Sequence, residues 1–311
     1  MKIRVGVLAA FAALLSCGPV FAQQSSPEEQ AYSRRMQGLQ QSLHPVTGDV
    51  PVAQAKATLH LGKSYYFLPA SDAQRVLVEG WGNHPEVAED VLGMVFPADK
   101  TFLDDTWGAV ITYESMGYVS DEDAGTQDYN KLMSDMQASE PELNEQLKKE
   151  GRPTQHLVGW AQSPNYDPAT HSVVWARNIH FDGNSENTLN YDVRLLGRFG
   201  VLSLNMVTRM GQLAETRQAA TSFAKSAEFD RLARYADYQP GVDKKAEYGV
   251  AGLIAAGLGV AAAKKLGLLA VILAFGKKII VLIVAAGAAI AARFRRLFRR
   301  GDDFDSGSAA G

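Results

Sequence analysis

The stretch from Tyr248 to Ala292 constrains the chain more than any other. It reads YGVAGLIAAGLGVAAAKKLGLLAVILAFGKKIIVLIVAAGAAIAA, and RFRRLFRR follows directly. Three apolar runs, 248–263, 266–276 and 279–292, are separated by Lys264-Lys265 and Lys277-Lys278. A membrane-spanning helix needs about 20 mostly apolar residues at about 1.5 Å rise each. Each run alone is short, whereas 266–292 is long enough with two lysines near its middle. A central lysine costs about 2.5–3.5 kcal/mol on insertion scales, and each Leu, Ile, Val or Phe returns about 0.3–0.6. Lysines also snorkel toward an interface. The stretch is therefore expected to be a membrane anchor at 248–292, with the span over 266–292. Arg293, Arg295, Arg296, Arg299 and Arg300 place the basic tail, 293–311, in the cytoplasm. The end of that tail, small and polar, is expected to be disordered. Ala251, Ala255, Gly259 and Ala263 recur every four residues. They give a small-residue face on which two copies of the helix, or an envelope partner, could pack closely. An Ala/Gly-rich helix with no such role has the same pattern.

The other end is an export signal over 1–22. Lys2 and Arg4 precede the apolar core Val5 to Leu15, and Val20-Phe21-Ala22 suits cleavage after Ala22. Leu14-Leu15-Ser16-Cys17 also resembles a lipobox, in which Cys17 would carry the lipid. Both alternatives export the chain. Cys17 is the only cysteine, so cleavage after Ala22 leaves no thiol for disulfides, catalysis or metal. Two of the 31 basic residues lie in the leader and nine after Tyr248; three of the 34 acidic residues lie in the tail. The exported part thus holds 20 basic and 31 acidic residues, a net charge of −11. An acidic domain has no electrostatic footprint for nucleic acid.

A polar helix is expected over 23–45, started by Ser26-Pro27-Glu28-Glu29. The exported domain is then 46–247. Short strands are expected near 49–53, 57–61, 64–68, 91–96 and 107–114. Ser71 with Gln74 suggests a capped helix over 72–79. A helix over 128–150 should break at Ser139-Glu140-Pro141. Strands at 156–163, 172–182, 187–197 and 200–207 alternate clearly and are joined by short turns. Short turns between neighbours mean an antiparallel meander, and a helix near 212–226 follows. The fold class is α+β: an antiparallel sheet with helices on one face, then the transmembrane anchor.

Alternation also predicts a site. If the strands pair as a meander, His180, Asn190, Asp192, Arg194 and Asn205 form a polar stripe across one sheet face. His, Asp and Arg in reach of each other could bind an anion or do acid–base work. A merely solvated sheet face would look the same. Asp121, Glu122, Asp123 and Asp128 form an acidic cluster; Asp121, Asp123 and Asp128 are weak metal candidates, off the spacing of an EF-hand. HExxH and GxSxG are absent, as is a phosphate-binding glycine loop, and no cofactor is expected.

Four segments carry a family resemblance: Trp81-Gly82-Asn83, GYVSDEDA at 117–124, LVGWAQSPNYD at 157–167 and ENTLNYDVRLLGRFGVLSLN at 186–205. With the YAD near 235–237 and the order of parts, they resemble the bacterial membrane-anchored family called domain of unknown function 2167. The resemblance implies a bacterial envelope protein and brings no activity or catalytic residue. The expected function is a periplasmic binding or assembly module held at the inner membrane, single-pass, without catalytic activity. The alternative is a periplasmic hydrolase-type enzyme that uses the polar stripe.

Overall fold

The computed structural model describes residues 26–149, 151 and 153–256. The export signal, the basic tail and most of the apolar stretch lie outside these residues, Gly259 and Ala263 among them. In chain order the elements are α1 (Pro27–Gln41), β1 (Asp49–Val52), β2 (Ala57–His60), β3 (Tyr65–Pro69), α2 (Ala70–Arg75), β4 (Gly93–Pro97) and β5 (Gly108–Glu114). Then come α3 (Tyr129–Gln137), α4 (Glu140–Lys149), β6 (Gln155–Asp167), β7 (Ser172–Phe181), β8 (Thr188–Leu196) and β9 (Val201–Arg209). The last are α5 (Leu213–Ser226), β10 (Ala227–Phe229) and α6 (Val250–Ala256).

The fold is α+β and its sheets are antiparallel. Seven strands form one sheet in the order β3-β4-β5-β9-β8-β7-β6. The expected meander is its second half, β6 to β9. A small sheet, β1-β2-β10, packs over it. Strand β10 returns from far along the chain, and only long-range pairing specifies it.

Helices cover both faces of the large sheet, where the sequence suggests one. On one face Leu189, Tyr191, Val193 and Leu195 of β8 pack with Ala219, Ala220 and Phe223 of α5 and with the small sheet. On the other face Trp175, Ile179 and Phe181 pack with Leu132, Met133 and Met136 of α3, Leu147 of α4 and Val250, Leu253 and Ile254 of α6. At the far end of that face Leu68, Met94, Phe96 and Val110 meet Met36 and Leu39 of α1. A sheet covered on both sides has no wet face, so the alternation in β8 cannot mark solvent.

Three local signals resolve differently. Ser26 caps α1 with a full capping box to Glu29, as the sequence implies. That helix is docked through Met36 and Leu39 and does not merely precede the domain. Ser71 makes no cap: α2 starts at Ala70 behind Pro69 and runs into a π-helical turn over Val76–Gly80. The helix over 128–150 does break, with α3 and α4 meeting at Ser139. Together they cover β6, an edge strand. Asn144 exchanges two hydrogen bonds with the Gln155 backbone (2.8 and 2.9 Å), and Gln137 donates to the Leu157 carbonyl (2.8 Å). Glu140 accepts from the Leu157 amide. An open sheet edge invites foreign strands, and these side chains occupy it.

The segment after β10 is strapped to the domain rather than leading away from it. Arg198 donates to Asp243 through two nitrogens (2.7 and 2.9 Å) and to the Leu232 carbonyl (3.1 Å). The amide of Tyr118 donates to the Lys244 carbonyl (2.9 Å), and that of Ala246 to the Tyr118 carbonyl (2.8 Å). Gly117 permits this approach: its φ is +97°, and a Cβ there would lie 2.5 Å from the Lys244 oxygen. The chain then enters α6, whose Val250, Leu253, Ile254 and Ala255 are buried. The first residues of the apolar stretch thus belong to the domain core. Among the described residues no helix is long and apolar enough to cross a membrane.

The covered sheet yields a stability prediction. Val193→Ala should cost about 1–3 kcal/mol through lost transfer energy and a cavity. Asn190, fully buried, accepts a hydrogen bond from Arg177 and donates one to Asn205 (3.2 Å). Its removal orphans buried polar groups, so Asn190→Ala should also cost about 1–3 kcal/mol. Denaturant unfolding checks both; a near-neutral Asn190→Ala would mean that this face is wet.

Candidate functional site

The polar stripe exists, but its membership differs from the sequence expectation. β7 and β8 pair so that Arg177 lies opposite Asn190, Trp175 opposite Asp192 and Val173 opposite Arg194. β9 then brings Asn205 opposite Asp192 and Ser203 opposite Arg194. A row of paired positions crosses the sheet: Leu68, Met94, Val110, Asn205, Asp192, Trp175. Its two ends are apolar and its middle is polar. Arg177 therefore joins the cluster. His180 falls on the opposite face, because odd-numbered positions of β7 pair with even-numbered ones of β8. The expectation that His180 shares the stripe is corrected by this one-residue offset.

The cluster is buried, not solvated: Asn190 is 0%, Asp192 2% and Arg194 5% exposed. Asp192 sits between two guanidinium groups, 3.4 Å from Arg177 and 3.2 Å from Arg194. Arg194 also reaches Glu114 (3.0 Å) and Ser203, and lies over the Trp175 ring at 5.5 Å. Asn205 donates to Asp192 (3.0 Å). Two cations meet two carboxylates, so the network balances its charge. Burial pushes the Arg177 guanidinium down and Asp192 opposes that shift. Tyr248, at the start of the apolar stretch, is raised by burial and then by Glu114. With every charge paired and no imidazole present, the stripe has no free base for acid–base work.

The acidic cluster also comes apart. Asp128 caps α3, accepting from the amides of Asn130 and Lys131 (both 3.0 Å). Asp123 accepts from the Ala251 amide (3.2 Å) in the first turn of α6, where the helix end favours an anion. Asp121 faces elsewhere and accepts from the Tyr166 hydroxyl at 2.6 Å. Among the described residues no group of three or more His, Cys, Asp or Glu is placed to hold a metal ion.

Asp121 belongs to a cluster that the sequence does not reveal. Tyr166 contacts Asp121 and also lies 3.1 Å from His171 Nδ1. Its single proton goes to the carboxylate, so His171 Nδ1 donates to the phenol oxygen. Tyr238, Tyr118, Tyr235 and His171 form a continuous stack, with centroids 3.8, 4.6 and 4.3 Å apart. Tyr235 accepts from the Asp121 amide and donates to the Val119 carbonyl (both 3.1 Å). Burial first raises Tyr166 and Tyr235, and contact with Asp121 raises them further, so both stay protonated. Burial alone would raise Asp121; the hydrogen bond from the Tyr166 hydroxyl, with the Tyr235 hydroxyl close by, outweighs it and holds that carboxyl below its ordinary value. His171 keeps a left-handed backbone, φ +46°, unusual outside glycine. Residues 117–124, 157–167 and 235–237 all converge here. That convergence of separately noted segments was the one available signal.

Two predictions test these clusters. Asp192→Ala leaves Arg177 and Arg194 facing each other without a carboxylate between them, and should cost about 3–5 kcal/mol in denaturant unfolding. A depressed Asp121 stabilises the fold fully above the unfolded carboxylate range, and that contribution is lost as pH falls through the folded value. Tyr166→Phe should therefore flatten the acid limb of a Tm-against-pH curve below about pH 5. An unchanged slope would mean that Asp121 does not depend on Tyr166.

No curated protein matches the chain. Among solved structures, the solution structure of cyanobacterial PsbP (CyanoP) from Synechocystis sp. PCC 6803 is similar at a TM-score of 0.33 and 7% identity. That similarity covers 61% of this chain and 93% of the other. The family model described as protein of unknown function (DUF2167) matches residues 44–288, from the segment just ahead of β1 through the domain and into the apolar stretch. The chain belongs to the DUF2167 family.

Proposed function

We propose that the protein is a non-catalytic binding or assembly module of the bacterial envelope. It is exported and tethered to the inner membrane by the apolar stretch, with the domain outside and the basic tail in the cytoplasm. The observation that carries this reading is the join between domain and stretch. Tyr248 to Ala256 opens the apolar segment, and its Val250, Leu253 and Ile254 pack beside Trp175 and Phe181. No polar linker separates the two, and the family match runs on to residue 288. The absence of catalysis is supported by the buried stripe, a charge-balanced network from which His180 is excluded.

A second reading keeps the enzyme but moves it. The hydrogen-bonded chain from Asp121 through Tyr166 to His171 leaves His171 Nε2 as the outer atom of a carboxylate–phenol–imidazole relay. Such a relay can hold or pass a proton. His171→Ala separates the readings, since it should abolish any hydrolase activity and leave a binding module intact.

Topology is tested by labelling cysteines with a membrane-impermeant maleimide. Val242, 75% exposed, and Ser306 in the tail are the positions to replace. V242C should label in intact spheroplasts, and S306C only after lysis. The same answer from both would remove the single-pass tether.

A further inference from the structure

We propose that Tyr166 is a redox-active tyrosine, giving one electron to oxidants of the one-electron class, such as peroxyl radicals and high-valent metal complexes, while Asp121 takes its proton. A phenol that loses an electron alone becomes a strongly acidic radical cation. Its oxidation is easy only where a base already holds the hydroxyl. Tyr166 has that base: its hydroxyl donates to Asp121 Oδ2 at 2.6 Å, within the roughly 2.5–2.7 Å of a charge-assisted bond. Other tyrosines show the contrast. Tyr129 and Tyr235 donate to the carbonyls of Ala124 and Val119, and Tyr191 to the side-chain oxygen of Gln162. Amide oxygens are too weakly basic to take a proton. The site stands apart from the binding and hydrolase readings, since it needs neither a docked partner nor a substrate to hydrolyse.

The step balances within the site. One electron leaves the Tyr166 ring for the oxidant, which is reduced by one unit. The phenolic O–H bond breaks, and the proton bonds to Asp121 Oδ2. A neutral tyrosyl radical then faces a protonated carboxyl. The half-buried pair loses its negative charge and never carries a positive one, which is the cheaper change away from water. Asp121 starts as a carboxylate, held below its ordinary value by the same hydrogen bond. His171 Nδ1, 3.1 Å away, keeps its N–H on the phenol oxygen and holds the ring in place.

The aromatic stack links this pair to the surface. Tyr238 and Tyr118 lie face to face, with planes 10° apart and centroids separated by 3.8 Å. That is van der Waals contact, about 3.5–4.0 Å between carbons. Tyr235 follows at 4.6 Å and His171 at 4.3 Å, and His171 hydrogen-bonds Tyr166. Tyr238 is partly exposed, so an oxidant can meet the outer end. An electron withdrawn there is replaced from the next ring inward. The vacancy settles at Tyr166 because there, unlike at Tyr235, a proton leaves with the electron. Tyr238 is the entry and Tyr166 the trap.

The test uses the full-length protein in detergent with photogenerated tris(bipyridine)ruthenium(III), which takes one electron and no atom. Freeze-quenched samples should show a tyrosyl radical by electron paramagnetic resonance, and its signal should narrow when the protein carries ring-deuterated tyrosine. Tyr166→Phe should lose that signal, whereas Tyr32→Phe, which alters an exposed tyrosine of α1, should keep it. Asp121→Asn keeps the side-chain shape but removes the base, and should slow radical formation about 100-fold. Tyr238→Phe should lose most of the rate and leave the radical on Tyr166. No tyrosyl radical in the parent, an undiminished one in Tyr166→Phe, or an unchanged rate in Asp121→Asn or Tyr238→Phe would overturn the proposal. Circular dichroism spectra matching the parent ensure that a lost radical is not a lost fold.

Discussion

Asp192 holds the protein together at its most expensive point. The carboxylate is buried in the middle of the large sheet, between Arg177 and Arg194, with Asn205 as a further donor. A buried charge is tolerated only when paired and hydrogen-bonded. Each neighbouring element is placed so that this condition is met: β7 brings Arg177, β9 brings Asn205 and Ser203, and β5 brings Glu114 to the far side of Arg194. The apolar clusters flanking the network on the same face, around Trp175 and around Phe96, keep water from screening it. Such a network adds little net stability over a well-packed apolar core, but it is very sensitive to losing one partner. Slipping β8 by one residue would carry Asn190, Asp192 and Arg194 to the other face, away from their partners, so the network fixes strand register.

Much of the fold is readable from local patterns. The meander of β6 to β9 follows from alternation and short turns, and Ser26 with Glu29 announces α1. Asp128 and the break at Ser139 are equally local signals. Non-local choices were not readable. The offset between β7 and β8 depends on how many residues the turn after Phe181 consumes before pairing resumes at Thr188. That offset alone decides whether Arg177 or His180 shares a sheet face with Asp192. Nothing in β8 announces that its polar face is covered, since Asn190, Asp192 and Arg194 read equally well as a wet face. The covering helices come from elsewhere in the chain.

The tyrosine stack shows the same limit. Tyr118, Tyr166, Tyr235 and His171 lie on segments separated by up to 117 residues of chain, and no single window holds two partners at a telling spacing. Asp121 and Asp123 look like a metal cluster because they are adjacent in sequence. In space they serve two different elements, a phenol on β6 and the amide end of α6. Sequence adjacency is a poor guide for short acidic side chains, which turn to whichever donor lies nearest.

The packing of α6 has a mechanical consequence. Val250, Leu253 and Ile254 sit in the same cluster as Trp175 and Phe181, and the segment ahead of them is clamped by Arg198 and by the backbone pairing at Tyr118. A pull on the chain beyond Ala256 therefore meets no slack. The load passes straight into the interior and across β7, to the strands that surround Asp192. The domain would resist as a single body up to the force that extracts α6, then yield abruptly. A floppy polar connection in the same place would stretch first and shield the sheet.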